Sequence, residues 1–171
     1  MRRLLLLSLF ALSLFLGDFF LKSYVHHFFP PMGLVPIFPY GGVEVFENFW
    51  GIDFSLVHVI NKGAAWGILS SFHEYLFYGR VLIIGAMLFY LLLFAARMQV
   101  IPLVMIITGA IGNVADRFLY GHVVDMFYFR FWGHSFPVFN IADSAIFCGI
   151  SILMLQSFIK KKREEALPAH E

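Results

Sequence analysis

The chain is 171 residues long, 60% apolar and only 13% charged, with 22 phenylalanines and a net charge of +1. Soluble domains run at about 45–50% apolar and about 25% charged, so a membrane protein is expected and a nucleic-acid partner has no electrostatic footing. The single cysteine, Cys148, excludes an intramolecular disulfide and any paired-cysteine metal or redox motif. Its apolar surroundings predict a small buried side chain.

A bilayer-crossing helix needs about 20 mostly apolar residues, and four segments qualify: 4–25, 76–96, 98–119 and 141–159. The first is preceded by Arg2 and Arg3 and has the look of a secretory signal peptide. No small-x-small cleavage site follows it, and Asp18 and Lys22 come instead, so a retained helix is expected. Those two residues are one turn apart and can pair. Arg2, Arg3, Arg97 and the run Lys160, Lys161, Lys162, Arg163 fall at the same side of an even number of spans, which the positive-inside rule makes cytoplasmic.

Residues 26–75 then form an outer region too long for a plain connector. "PPMGLVPIFPYGG" (30–42) reads as irregular, and 43–46 and 54–60 as short strands between Gly and Asn turns. The second span carries Arg80 near one end. In the third, Gly109, Ala110 and Gly112 suit close helix packing. Asn113 and Asp116 share a face of that helix. Asp116 lies near the carboxyl end, where the helix dipole disfavours an anion, so it needs a cation or donors, from Arg117 or Lys22.

Asp125 follows just past the third span. The aromatic stretch 127–139 reads as a return connection that Gly133 and Pro137 allow to turn back, bringing Asp125 and Asp143 to one membrane depth. Asp143 has two readings. It can be the third helical residue of a capping box whose N-cap is Asn140. It can also be half of a carboxylate pair that shares one proton, one member acting as base on water and the other as acid toward a carbonyl. No H-E-x-x-H or G-x-S-x-G motif competes. His122 and Asp125 have a spacing compatible with a metal, but the seven histidines are scattered along the chain, so no metal is expected.

Taken in order, Asp18 and Lys22 of "DFFLK", "NKGAAWGIL" (61–69), "GAIGNVADR" (109–117), "VVD" (123–125) and "FNIADS" (139–144) resemble the bacterial lipoprotein signal peptidases, or type II signal peptidases. That resemblance covers nearly the whole chain. It implies a membrane all-α fold of four transmembrane helices, with a short extracytoplasmic sheet and helix covering the site. It also implies residence in the bacterial inner membrane with both termini cytoplasmic, and an active site near the outer face. The implied activity is aspartyl endopeptidase cleavage of diacylglyceryl-modified prolipoproteins just before the lipidated cysteine. Asp125 and Asp143 would be the catalytic pair. Asp116 would support them, with Asn113 and Arg117 beside it. Asn61 and Gly63 would hold the substrate backbone, and Asn140 and Ala142 would shape the pocket. Asp18 and Lys22 complete the set of supporting residues.

No cofactor is implied; the partners are the prolipoprotein and membrane lipid, and a monomer is expected. Phe19, Trp66 and Thr108 depart from the family's usual Gln, Phe and Gly. A proton-coupled transporter or ion-pathway protein is the alternative class, although transport sites favour the bilayer midplane and internal repeats. A non-catalytic assembly factor using its aromatic outer loop is a third.

Overall fold

Helix α1 (Arg2–Phe28) buries Asp18, Lys22 and Val25 and turns most of its leucines and phenylalanines outward. A soluble helix does the reverse. In a bilayer the outer surface is hydrocarbon, so an apolar helix needs no apolar partner and its inner face is free to carry polar groups. The computed structural model describes residues 2–63 and 73–166. After α1 come a 3-10 turn (Met32–Leu34), β1 (Val43–Phe49), β2 (Ile52–Asn61), α2 (His73–Leu93), α3 (Val100–Tyr120), β3 (Val123–Phe131), β4 (His134–Ser135) and α4 (Ile141–Ala166). Helices α1, α3 and α4 are long and apolar enough to cross a membrane, and α2 carries a shorter apolar stretch, Phe77–Leu93. Helix α3 is the hub, packed against α1, α2 and α4.

The helix ends differ from the expected spans by up to seven residues, and two of the differences have a visible cause. Helix α2 stops at Leu93 because Phe94 and Ala95 both donate to the Tyr90 carbonyl, and the Gln99 side chain accepts from the Ala96 N–H. Helix α4 runs on to Ala166 because Lys160–Glu164 and Lys161–Glu165 form i,i+4 pairs on its exposed end. Cys148 is exposed rather than buried. It sits on the outward face of α4, where an apolar side chain meets lipid instead of a protein core.

The four strands form one antiparallel sheet in the order β1-β2-β3-β4. Both expected strands of the outer region are present, each longer than expected. Strand β3 and its partner β4 occupy the stretch expected to be a return connection. Both hairpins turn at a Trp-Gly pair with positive φ, Trp50–Gly51 and Trp132–Gly133, the backbone of a type I′ turn. A core of Val25, Phe29, Val124 and Met126 joins the end of α1 to β3. The Met32–Leu34 turn packs on β2. Trp66 and the rest of 64–72 lie outside the described residues.

Glycine lets α3 and α4 approach closely. A Cβ on Gly109 of α3 would strike the carbonyl oxygen of Ala142 in α4 and come within 3.0 Å of Ile146. Gly109→Leu is therefore expected to cost about 1–3 kcal/mol through overpacking. Gly85→Ala, where a Cβ meets nothing within 4 Å, is expected to leave stability unchanged or slightly raised. Thermal unfolding of the two purified variants in detergent checks both.

Candidate active site

Four elements meet at the Lys22 ammonium, which has no exposed surface. Its Nζ lies 2.7 Å from Asp18 Oδ2 and 2.9 Å from Asp116 Oδ2, and donates to Asn113 Oδ1 at 2.9 Å. Its three donors thus face three acceptors. Two negative charges surround one positive, and backbone donors offset the excess. Asp18 Oδ1 accepts from the Ala142 N–H at 2.9 Å, one of the unpaired amides in the first turn of α4. Asp116 Oδ2 accepts from the Val124 N–H at 3.2 Å. Of the two cations considered for Asp116, Lys22 is its partner; Arg117 instead donates to the Lys62 carbonyl at 3.0 Å. Gly112 makes room for this cluster, since a Cβ there would lie 2.9 Å from Asp18 Oδ2.

Asp125 stands above this cluster on β3. Helix α3 ends at Gly121, which is left-handed (φ 75°) and donates to the Arg117 carbonyl at 3.1 Å, so the chain reverses directly into the strand. Alternation along β3 then puts Asp125 on the face opposite Val124 and Met126. It is paired with Val59, two residues from Asn61. Asp125 Oδ2 accepts from Asn61 Nδ2 at 2.9 Å and Oδ1 from Asn140 Nδ2 at 2.7 Å. The orientation of each amide is set by a backbone donor on its oxygen. Gly63 N–H donates to Asn61 Oδ1 at 2.8 Å, and Asp143 N–H donates to Asn140 Oδ1 at 2.8 Å.

Asp143 reaches the same place from α4. Met126 and Phe127 both donate to the Phe139 carbonyl, and Phe139 donates back to Phe127, which pins the entry of α4 beside Asp125. Asp143 Oδ2 accepts from the Asn140 N–H at 3.3 Å, completing a capping box with the Asn140 side chain. Its other oxygen accepts from Asn113 Nδ2 at 2.8 Å. Asn140, fully buried, therefore touches both carboxylates, and its amide also lies 3.2 Å from Asn113 Oδ1. Burial pushes the Asp125 carboxyl up to about 7; the nearby Asp143 charge raises it too, while the Asn61 and Asn140 donors pull it down.

Beside Asp143 a cavity of about 310 Å³ runs down between α2, α3 and α4. Its walls are apolar, including Ile83, Met87, Ile106 and Ile146, and its rim carries Asn61, Arg80, Asn113 and Asp143. Gly63 (φ 78°) lies at this rim; a Cβ there would sit 3.0 Å from Arg80 Nη2. The placement of Arg80 was not apparent from the sequence, where it was one cation near a span end. Only the packing of α2 on α3 turns it toward the carboxylates' side. Among the described residues, the carboxylates form no metal-ligand group; the one such group is His26, His58 and His122.

A lipid-facing helical bundle lies under a small sheet, with carboxylates where the two meet. Two bacterial membrane enzymes solved by the in meso method are similar to this chain in fold. One, at 2.3 Å resolution, gives a TM-score of 0.75 and 25% identity, covering 96% of this chain and 93% of its own. The other, at 1.9 Å, gives 0.73 and 27%, covering 88% and 90%. The signal peptidase (SPase) II family model matches residues 10–159, and the chain belongs to that peptidase family. The lipoprotein signal peptidase of Burkholderia ambifaria is 39% identical over 130 residues, 72% of this chain and 75% of its own. That of Aeromonas hydrophila is 36% identical over 145 residues, 80% and 84%. That of Chlamydia pneumoniae is 36% identical over 125 residues, 71% and 74%.

Lys22→Met removes the only cation in contact with Asp18 and Asp116 among the described residues and strands two buried carboxylates. Breaking a buried charge cluster in this way costs about 3–5 kcal/mol. The expected result is a sharply lower unfolding temperature in detergent. An unchanged melt would show that the cluster contributes little to the bundle.

Proposed function

We propose that this chain removes the signal peptide from diacylglyceryl-modified prolipoproteins, cutting just before the lipidated cysteine, with Asp125 and Asp143 as the catalytic pair. The observation that carries this reading is the shared clamp: one buried asparagine, Asn140, bonds to Asp125 through its amide nitrogen and to the Asp143 backbone through its amide oxygen. Two carboxylates held at one place, at the mouth of an apolar cavity, suit a peptide whose anchor is lipid.

In the proposed reaction a water lies between the two aspartates and the scissile carbonyl. Asp143, open to the cavity, takes a proton from the water as its oxygen bonds to the carbonyl carbon. Asp125, holding its proton near neutral pH, gives it to the carbonyl oxygen. The tetrahedral intermediate then collapses: the C–N bond breaks, the leaving nitrogen takes the proton from Asp143, and Asp125 recovers its own. Both acid and base come from the chain. Asn61 and Gly63, next to Arg80, are suited to hold the substrate backbone at the cavity rim. The acyl chains stay in lipid, where each buried CH₂ contributes about 0.8 kcal/mol to keeping the cysteine at the interface.

The proposed setting is the bacterial cytoplasmic membrane, with both termini inside and the sheet and carboxylates at the outer face. Arg3 donates to the Arg97 carbonyl at 3.3 Å, which supports a common side for the basic ends. Exposed Phe49, Trp50 and Trp132 at the hairpin turns suit the headgroup layer. Asp18, Lys22, Asn113, Asp116, Arg117 and Ala142 act in this reading as supports that hold the entry of α4 and the start of β3 together.

Cleavage of a diacylglyceryl-modified prolipoprotein, followed by gel shift, is expected to fall by about 10²–10⁴-fold in Asp125→Asn and in Asp143→Asn, with both variants folded. Near-normal cleavage by either one removes that residue from the pair. A pH series gives an independent check. The Asp125 carboxyl, raised by burial to about 7, holds its proton below that pH and loses it above. Cleavage should therefore decline as pH rises through about 7. The Asn61 donor favours the charged form, so Asn61→Ala should move the declining limb to higher pH. A limb that stays put or moves down would mean that another group carries the proton.

A further inference from the structure

Three histidines come together on the side of the sheet near the end of α1, apart from the carboxylates. His26 lies near the end of α1, His58 on β2, and His122 in the turn between α3 and β3. Their ring centroids are 5.3, 5.5 and 6.3 Å apart, and one nitrogen from each ring lies within 4.8 Å of the others. These three are far apart in the sequence, where the histidines read as scattered, yet the fold brings them together, and His58 is 2% exposed.

The ring nitrogens themselves point to a ligand. His58 Nδ1 lies 2.9 Å from the Phe29 carbonyl, which can only accept, so Nδ1 carries the hydrogen and Nε2 presents a lone pair. That buried Nε2 has no hydrogen-bond partner, and neither do buried His26 Nδ1 and His122 Nε2. An unsatisfied buried polar atom costs about 1–3 kcal/mol, and three together call for a common partner. A histidine fixed through one nitrogen by a backbone carbonyl, with the other left bare, is the usual support for a metal ligand. Burial, and then the neighbouring His58, lower the pKa of His122. The Lys62 charge also acts on His122 and would oppose a dication weakly from outside the ring cluster.

We propose that His26, His58 and His122 form a binding site for a divalent transition metal, with zinc as the ion it fits best. Imidazole nitrogens suit zinc, and three of them leave one tetrahedral position for water. Zn–N bonds of about 2.0–2.1 Å place ligand nitrogens about 3.3 Å apart. Rotation of the rings by about an ångström closes the 4.8 Å spread to that value. The ion would fasten three elements whose junction sets the catalytic strand: His26 is one turn beyond Lys22, and His122 is three residues before Asp125. Its role is therefore a staple, and the proposal stands independently of the peptidase reading.

The test uses the full chain, purified in detergent and stripped with chelator, then given zinc or cobalt(II) alone and passed through gel filtration. One zinc per chain is expected, with a raised unfolding temperature, and cobalt should give the intense visible bands of a four-coordinate nitrogen site. His58→Gln and His122→Gln should each weaken retention by at least about tenfold and abolish the thermal shift. His134→Gln, altering an exposed residue of β4, should change neither. Retention equal to wild type in His58→Gln and His122→Gln overturns the site, as does loss of the ion in Asp125→Asn, which would move it to the carboxylates. Circular dichroism checks that the variants fold. Should they not, the wild-type cobalt spectrum decides, and absence of the bands refutes the proposal.

Discussion

An ammonium group with no exposed surface keeps its charge only if carboxylates and dipoles replace the water it has lost. Lys22 meets that condition with Asp18, Asp116 and Asn113. The solution binds more than one helix. Asp18 needs the first-turn amide of α4, and Asp116 needs the Val124 amide of β3. Satisfying one buried charge thus fixes where α1, α3, α4 and β3 stand relative to one another. Those are the elements that carry Asp125, Asp143 and the asparagines between them. Gly109 and Gly112 belong to the same constraint, because any side chain there would push α3 off the Ala142 backbone or off Asp18.

Hydrophobic length alone made the helices legible, and charge within a span made the Lys22 cluster legible, because an ionisable group in a bilayer has few reasons to exist. The i,i+4 spacing of Asp18 and Lys22 exposed half of the cluster; the other half required knowing which helices touch. Strand β3 was hidden for a physical reason. It is buried on both faces from Val123 to Met126, so "VVDM" shows no apolar–polar alternation; a two-residue period begins only at Phe127, in "FYFRF", where the aromatics also suit an interface connection. Cys148 misled in the opposite way. Burial habits learned from soluble cores assign a cysteine in an apolar helix to the inside, but in this bundle the outward face is apolar too. The histidine group was out of reach, since residues 26, 58 and 122 come from three elements joined only by the fold.

The capping role of Asp143 does not exclude the reactive role we propose for it. One carboxylate has two oxygens. Oδ2 closes the capping box with the Asn140 N–H, while Oδ1 meets Asn113 at the edge of the cavity. The cap supplies rigidity. With the Asn140 side chain pinned by the Asp143 N–H, its amide nitrogen is turned toward Asp125, its shortest partner, with Asn113 beside it. Asn61 is oriented by the same device, a backbone N–H on its oxygen from Gly63. Both donors facing Asp125 are thus prearranged before any substrate arrives, so reorganisation during a proton transfer is small.

That rigidity explains why burial and hydrogen bonding can oppose each other at Asp125 without cancelling its usefulness. Burial alone would hold the carboxyl protonated and inert; two fixed amide donors alone would hold it ionised. Acting together, with Asp143 nearby, they leave it close to neutrality, at about 7. In the proposed reaction, a proton held that loosely leaves for a carbonyl oxygen and is recovered within one turnover. The site therefore belongs at the boundary where the bundle meets the sheet. Deeper in the bundle, the donors of β2 and the α4 entry could not reach it. Further out, water would return the carboxyl toward its ordinary acidity.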